Sequence, residues 1–206
     1  LEAVKSGRIS EERINYSVKK ILLAKRWAGL DTTNVIDINT TKEAIGRGEY
    51  FSTAYSIAEK SITLVKNENN LLPLIQNPNI KYRHIAFLDN NNTSNAFRFN
   101  NFLLERIPSL NSNIVKSDAS QKEINVFKDS LSKDDIFIIS VYIRVRDLKG
   151  NLELSILQND LIKDILKLKR PTLLVSHGDP YILGRYPDVD AFICNYGENF
   201  VSEKSL

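Results

Sequence analysis

The sequence predicts an α/β protein, a three-layer αβα sandwich with a mostly parallel sheet, and a separate helix at the N-terminus. Short apolar runs alternate with amphipathic helical segments from about residue 57 onward, which is the pattern of a parallel sheet covered by helices. Two of the runs, 172–176 and 191–195, are almost wholly apolar. Strands that are buried on both faces have this composition.

The first thirty residues predict an amphipathic helix that lies outside the sandwich. Ser10 is a natural N-cap followed by two glutamates, and Gly29 can close the helix in the left-handed conformation. Apolar residues recur between them at helical spacing: Ile14, Val18, Ile21, Leu22 and Ala28. Residues 31–40, DTTNVIDINT, have the composition of an extended linker. A domain boundary is therefore expected near residue 31.

The remaining elements follow in chain order. A second helix is expected from Thr40 or Thr41 to about Lys60, although Gly46 and Gly48 weaken its first half. Strands are predicted at 62–65, 84–88, 114–115, 135–142, 172–176 and 191–195, and helices at 96–107, at 123–131 and after the capping box of Ser155 and Gln158. The predicted core residues of the sheet are Leu64, Phe87, Ile138, Leu174 and Phe192.

The composition is that of a globular chain and excludes several classes of function. The chain has 206 residues, 42% of them hydrophobic, which is enough to bury a core. A net charge of +3 without a basic, aromatic stripe argues against nucleic-acid binding. Cys194, the single cysteine, excludes an intrachain disulfide and a cysteine metal cluster, and its apolar strand predicts a buried, unreactive thiol. No apolar run approaches the length of a membrane span.

The loops after the last two predicted strands are the expected ligand-binding region, because open α/β sheets bind ligands at the carboxyl ends of their strands. No GxGxxG motif or Walker lysine is present, so neither a nucleotide nor any other cofactor is expected. Ser176, His177 and Asp179 are too close in sequence to align as a catalytic triad. His84 and His177 lack the spacing of a zinc site. His84 is interpreted as a strand-edge residue, and His177 as lying at the ligand-facing end of its strand.

Charged residues in these loops are the remaining candidates for chemistry. Asp147 follows the strongest predicted strand and is flanked by Arg144 and Arg146, while Asp179 and Glu198 follow the last two strands. The residues predicted to lie beside a substrate are Arg144, Arg146, Asp147, His177 and Asp179. The alternative interpretation is that these carboxylates only form Asx turns in surface loops.

Four stretches of the chain resemble glycoside hydrolase family 3. Residues 2–30, EAVKSGRISEERINYSVKKILLAKRWAGL, resemble the last helix of that family's catalytic (β/α)8 barrel. Residues 57–74, IAEKSITLVKNENNLLPL, are similar to the entry into its second domain. Residues 158–183 and 186–199 look like the later helix and strands of that domain, and the similarity is weakest between 90 and 132.

The resemblance implies three segments: 1–30 as the terminal helix of an absent barrel, 31–56 as a linker and connecting helix, and 57–206 as an α/β sandwich truncated at its C-terminus. A chain that begins at Leu1 and has no methionine is likewise expected to be a piece of a longer protein. The barrel would then be the upstream partner of the sandwich.

The resemblance also implies a function. The parent would be a retaining, exo-acting glycosidase that releases terminal β-linked sugars, with the closest similarity to the β-N-acetylglucosaminidases of the family. Its nucleophile and acid/base lie on the barrel, so no catalytic residue is expected here. The β-glucosidases of the family place a glutamate acid/base in an E-G-x-D-R context on the second domain, a pattern that residues 144–153 lack; Glu153 is therefore given no role.

The resemblance leaves other readings open. It favours a periplasmic or extracellular location for the parent enzyme. The alternatives are the second domain of a β-glucosidase, or a non-catalytic domain that binds carbohydrate or protein. The expected partners are the carbohydrate substrate, reached through the parent enzyme, and the upstream barrel, with no nucleic acid, metal or membrane span.

Overall fold

The computed structural model describes residues 1–30, 32, 37–75, 77–131, 135–144 and 153–206. The chain divides into two compact units, Leu1–Tyr50 and Phe51–Leu206. The predicted boundaries near residues 31 and 57 remain predictions.

The first unit is helical. It contains α1 (Glu2–Lys5), α2 (Glu11–Trp27) and α3 (Ile38–Ala44), and helix α4 (Gly48–Ser61) begins at its end. The predicted cap of α2 is confirmed, because Ser10 Oγ accepts a hydrogen bond from Arg13 N at 3.1 Å. Gly29 has the predicted left-handed conformation, with φ of 73°. No residue of α2 is buried, so its apolar stripe is exposed.

The prediction of one long helix from Thr40 to Lys60 was wrong. The carboxylate of Asp37 accepts hydrogen bonds from Asn39 N and Thr40 N and starts α3 earlier than expected. Gly46, with a left-handed φ of 74°, then interrupts the helix between α3 and α4. A left-handed glycine ends a helix at little cost, because it has no Cβ to clash with its own carbonyl.

The second unit is an α/β sandwich around one sheet. Its strands are β1 (Thr63–Asn67), β2 (Lys81–Leu88), β3 (Asn111–Val115), β4 (Asp135–Tyr142), β5 (Thr172–Ser176) and β6 (Ala191–Cys194). Its helices are α5 (Ser94–Arg106), α6 (Gln121–Asp129), α7 (Ile156–Lys167) and α8 (Phe200–Lys204), with 3-10 turns at Glu68–Asn70 and Ile182–Arg185. The strand order is β1-β6-β5-β4-β2-β3, and only the β1–β6 pair is antiparallel. The predicted fold class is confirmed.

The sheet is covered on both faces. Helices α6 and α7 pack on one face, and α5 packs on the other beside α8. Phe87, Ile138, Leu174 and Phe192 are at most 1% exposed, as predicted. Leu64 was predicted to be in the core but is 53% exposed, because β1 is an edge strand with a neighbour on one side only.

His84 was interpreted as a strand-edge residue, and this was wrong. It lies within β2, between β3 and β4, and its side chain is completely buried. Its ring nitrogens lie 2.9 Å from Ser140 Oγ and 3.2 Å from Asn100 Oδ1. Burial lowers the pKa of His84 to about 4. The ring is therefore a neutral, hydrogen-bonded member of the core.

Gln158 links three elements at the carboxyl edge of the sheet. It completes the predicted capping box of α7, where Gln158 N bonds Ser155 Oγ and Gln158 Oε1 accepts from Ser155 N. Its amide nitrogen also donates to the carbonyl oxygens of Leu88 and Val115, each at 2.9 Å. The side chain is fully buried, so these bonds satisfy groups that water cannot reach.

We expect Gln158→Leu to lower the free energy of unfolding by about 2–4 kcal/mol, because two buried carbonyl groups and the cap lose their partner. Chemical denaturation of the chain measures the change. Gln121→Leu, on the exposed first turn of α6, is the matched control and should change stability by at most about 0.5 kcal/mol. Equal stabilities of the two variants would contradict the linking role of Gln158.

Candidate functional site

The sheet changes its direction of winding between β2 and β4. The chain passes from β2 outward to β3 on one side, then returns to β4 on the other side and continues to β5 and β6. The helices that follow β2 and β4 therefore lie on opposite faces of the sheet. The carboxyl edge at such a point is the place where open α/β sheets leave a crevice for ligands.

A cleft of about 510 Å³ lies at this edge. Four segments line it: Asn95 at the start of α5, residues 143–144 after β4, residues 177–181 after β5, and residues 196–199 after β6. Of the predicted substrate-adjacent residues, Arg144, His177 and Asp179 come together here. Arg146 and Asp147 lie outside the described residues.

An ion pair crosses the cleft wall from β4 to β6. Arg144 Nη1 lies 3.0 Å from Glu198 Oε1, with the arginine side chain 65% exposed and the glutamate side chain 17% exposed. The backbone nitrogen of Arg144 donates to Asp89 Oδ2 at 3.0 Å. An ion pair this exposed adds little to stability, but it places a guanidinium and a carboxylate side by side at the opening of the cleft.

Asp179 forms the turn that the alternative interpretation expected. Its Oδ1 accepts from Tyr181 N at 2.9 Å, which is an Asx turn, and its backbone oxygen accepts from Ser176 Oγ at 2.6 Å. Because the hydroxyl of Ser176 donates to this backbone oxygen, it is not set up to be activated by His177. The structure thus agrees with the exclusion of a catalytic triad.

The His177 ring lies flat against Tyr142, with ring centroids 4.3 Å apart and an interplanar angle of 2°. Asn195 Nδ2 donates to Gly197 O at 3.0 Å and also lies 3.3 Å from His177 Nδ1. The His177 ring also has a hydrogen bond with the backbone of Gly197. Asn195 and Gly197 together therefore hold the ring in place.

The electrostatic surroundings keep His177 neutral. Burial lowers its pKa to about 3, and the nearby ring of His84 adds to this effect. Nε2 is buried and has no hydrogen-bond partner within the part of the chain that the structure describes. A ring with so low a pKa cannot serve as a general acid or base near neutral pH. His177 instead shapes the floor of the cleft.

Two tyrosines give the cleft exposed aromatic surface that the sequence reasoning did not identify. Tyr181 is 84% exposed and Tyr196 is 50% exposed. Tyr196 has φ of 54°, a left-handed conformation that is rare for a bulky residue and marks local strain. Asn95 was also missed, because it starts a helix in the part of the sequence where no motif stood out.

The described residues around the cleft form no metal centre. Within the described ranges, no group of three His, Cys, Asp or Glu side chains could hold a metal ion. Cys194 is buried in β6, as predicted. Glu153, which was given no role, is in an exposed ion pair with Arg185 at 3.2 Å and is not among the residues that line the cleft.

Comparisons of the sequence find only partial relatives, and no protein-family model matches the chain. A lysosomal β-glucosidase of Dictyostelium discoideum is 38% identical over 77 residues, and a periplasmic β-glucosidase/β-xylosidase of Dickeya chrysanthemi is 30% identical over 86 residues. The matches cover 37% and 42% of this chain but only 9% and 13% of those proteins. The chain thus spans a small part of the curated relatives it matches.

Comparisons of the structure match almost the whole chain. The β-glucoside phosphorylase BglX superposes with a TM-score of 0.72 at 24% identity, over 99% of this chain and 37% of that one. A glycoside hydrolase family 3 β-N-acetylglucosaminidase from Paenibacillus sp. str. FPU-7 superposes with a TM-score of 0.66 at 20% identity, over 99% and 38%. The fold is that of the glycoside hydrolase family 3 α/β sandwich. In this chain, the loops at the carboxyl ends of the strands build the cleft.

Gly178 allows two loops of the sandwich to meet beneath the cleft. A Cβ at this position would lie 2.1 Å from the carbonyl oxygen of Ile143, which is far inside van der Waals contact. We expect Gly178→Ala to lower the free energy of unfolding by about 1–3 kcal/mol or more, because backbone must move to relieve the clash. Gly184→Ala is the control, since nothing lies within 4 Å of its Cβ. Equal denaturation midpoints for the two variants would disprove the close approach.

The chain has two histidines, so their protonation can be read by NMR of the imidazole nitrogens. We expect both rings to stay neutral down to a pH of about 5. Both folded-state pKa values lie below the unfolded value, so their contribution to stability is complete above a pH of about 6.5 and is lost as pH falls toward the folded values. A titration midpoint near 6.5 for either ring would contradict its burial.

Proposed function

We propose that this chain forms the second domain of a longer glycoside hydrolase family 3 enzyme that releases terminal β-linked sugars with retention of configuration. The observation that carries the proposal is a polar, aromatic cleft at the switch point of a fold that superposes on family 3 structures over 99% of the chain. Residues 1–30 are proposed as the last helix of an upstream barrel, 31–56 as the connection, and 57–206 as the sandwich.

The cleft has the chemistry of a sugar site. Carbohydrates present hydroxyl groups, which both donate and accept hydrogen bonds, and apolar C–H faces that pack on aromatic rings. Arg144 and Glu198 supply paired donors and acceptors, and Tyr181 and Tyr196 supply exposed rings. We infer that these groups, with Asp179, orient one sugar of the substrate, which lowers the barrier without any bond being made to this domain.

Bond cleavage is assigned to groups outside this chain. Retaining hydrolysis needs a carboxylate nucleophile and a second carboxyl group or its equivalent as acid/base. Among the described residues that line the cleft, both carboxylates already have structural partners, since Glu198 pairs with Arg144 and Asp179 holds the turn at Tyr181. The resemblance of residues 2–30 to a barrel helix supports a nucleophile and acid/base on the barrel.

The released sugar is proposed to be N-acetylglucosamine. The sequence resemblance favours it, and one structural neighbour is named a β-N-acetylglucosaminidase. Glucose is the competing candidate, because the two curated relatives reported above are both named as β-glucosidases. A non-catalytic carbohydrate-binding or protein-binding domain is the second candidate function, and the two exposed tyrosines favour it.

An exported enzyme is proposed, in keeping with the periplasmic and lysosomal names of the two curated relatives. Among the described residues, no helix has the length and apolar character needed to cross a bilayer.

The test compares the 206-residue chain with the full-length protein on chromogenic β-N-acetylglucosaminide, β-glucoside and β-xyloside. We expect turnover by the full-length protein alone, because the chain lacks the nucleophile. One structural neighbour is named a β-glucoside phosphorylase, so the assays are run with and without inorganic phosphate. Turnover by the purified chain would overturn the assignment of catalysis to the barrel.

Variants of the full-length protein test the cleft. We expect Asp179→Ala to raise KM and to lower kcat without abolishing turnover, because it removes an orienting group. Asp179→Asn keeps the side-chain oxygen that accepts from Tyr181 N but removes the negative charge. Comparing the two variants therefore separates the effect of the charge from the effect of the turn. Asp147→Ala tests the predicted residue that lies outside the described residues, and Asp188→Ala, on an exposed loop, is the control. Wild-type kinetics for Asp179→Ala and Asp147→Ala would show that these loops have only a structural role.

A further inference from the structure

A buried polar cluster lies directly behind the wall of the cleft. Its centre is an ion pair between Arg98 on α5 and Glu203 on α8, with Arg98 Nε 2.6 Å from Glu203 Oε2. The side chain of Glu203 has no exposed surface, and that of Arg98 is 29% exposed. Burying a carboxylate is costly unless it is paired, so the two side chains hold each other in a fixed arrangement.

The guanidinium of Arg98 reaches the cleft by two further hydrogen bonds. Nη2 donates to Asn95 Oδ1 and to the backbone oxygen of Glu198, each at 2.8 Å. Both acceptors belong to residues that line the cleft. One planar side chain therefore joins α5, α8 and the loop that carries Glu198. The Glu198 side chain extends from this same loop to Arg144.

Charged and titratable groups face Glu203 from each element packed around it. Arg98 faces it from α5, Tyr142 from β4, and Glu198 from the loop after β6. Glu203 Oε1 and the Tyr142 hydroxyl are buried, and neither has a hydrogen-bond partner within the described residues. Burial raises the pKa of Glu203 to about 7, and the charge of Arg98 opposes this only in part.

We propose that Arg98, held in place by Glu203, is the positioning residue for the cleft wall at residues 196–199. The inference rests on the proposed role of the cleft in sugar binding. Arg98 does not touch the substrate. Its hydrogen bond to the Glu198 carbonyl fixes the position of the ion pair between Glu198 and Arg144. A sugar in the cleft can then hydrogen-bond to both of these side chains. The planar fork of an arginine can bind three acceptors at once, whereas the ammonium of a lysine binds as a point charge.

The first test is Arg98→Lys in the full-length protein, assayed on the chromogenic β-glycoside that the wild type turns over. The lysine keeps the charge that Glu203 needs but loses the fork. We expect KM to rise by about three- to tenfold with a smaller change in kcat, because binding geometry is lost and the reacting groups are untouched. Arg106→Lys, an exposed position on the same helix, is the control and should retain wild-type kinetics.

The second test is Glu203→Gln, which keeps the shape and the acceptor for Arg98 Nε but removes the charge. In the wild type, loss of that charge below a pH of about 7 weakens the hold on Arg98, so KM should rise as pH falls from 8 to 6. We expect Glu203→Gln to lack this rise and to resemble the low-pH wild type, a difference of about threefold at pH 8. If Arg98→Lys fails to fold, Glu203→Gln alone tests the positioning role of Arg98.

The outcomes separate the two proposals. If Glu198→Ala and Arg144→Ala raise KM but Arg98→Lys and Glu203→Gln do not, the positioning role is disproved and the sugar-binding cleft stands. If Glu198→Ala and Arg144→Ala leave KM unchanged in a folded enzyme, the cleft does not contact substrate and both proposals fail. A KM raised by all four variants, with Arg106→Lys unchanged, supports both.

Discussion

The parallel pairing of five of the six strands is the constraint on which the rest of this structure depends. Parallel strands that follow one another need a crossover, and each crossover returns the chain to the same edge of the sheet. The loops after β2, β4, β5 and β6 therefore converge at one edge. The helices of these crossovers also cover both faces of the sheet, which is why its central strands are largely buried.

Several polar side chains at the carboxyl edge hold backbone in place. Gln158 joins α7 to two strand ends, Asp179 closes a turn, and Asn195 spans from Gly197 to His177. Such networks stabilise a particular arrangement of loops because each unmade hydrogen bond in a buried place costs free energy. The cleft is thus a preorganised surface, a suitable property for orienting a ligand.

The two histidines illustrate how burial decides chemistry. The sequence places only His177 at the ligand-facing end of a strand, yet burial lowers the pKa values of both His84 and His177 far enough to keep the two rings neutral. The buried carboxyl group of Glu203 responds in the opposite direction, because burial disfavours the charged form of an acid as it does that of a base. Glu203, whose pKa of about 7 is close to neutral pH, therefore lies behind the cleft, whereas the neutral ring of His177 lies in it.

Local patterns in the sequence determined the elements of this protein. Caps such as Ser10 and Ser155, the apolar strands and the alternation with helices predict structures that depend on neighbours a few residues away, and these predictions were confirmed. The failures also had local causes that were underestimated: Asp37 capped a helix earlier than expected, and Gly46 broke a predicted one.

What only the tertiary structure decided was position within the sheet and convergence across it. Strand order placed His84 in the interior and Leu64 on an exposed edge, although both lie in apolar runs. The packing of α5 against α8 also joined Arg98 to Glu203, which are 105 positions apart. Pairings at such separation leave no periodicity or motif in the chain, because the packing of elements that brings them together is determined by the whole core at once.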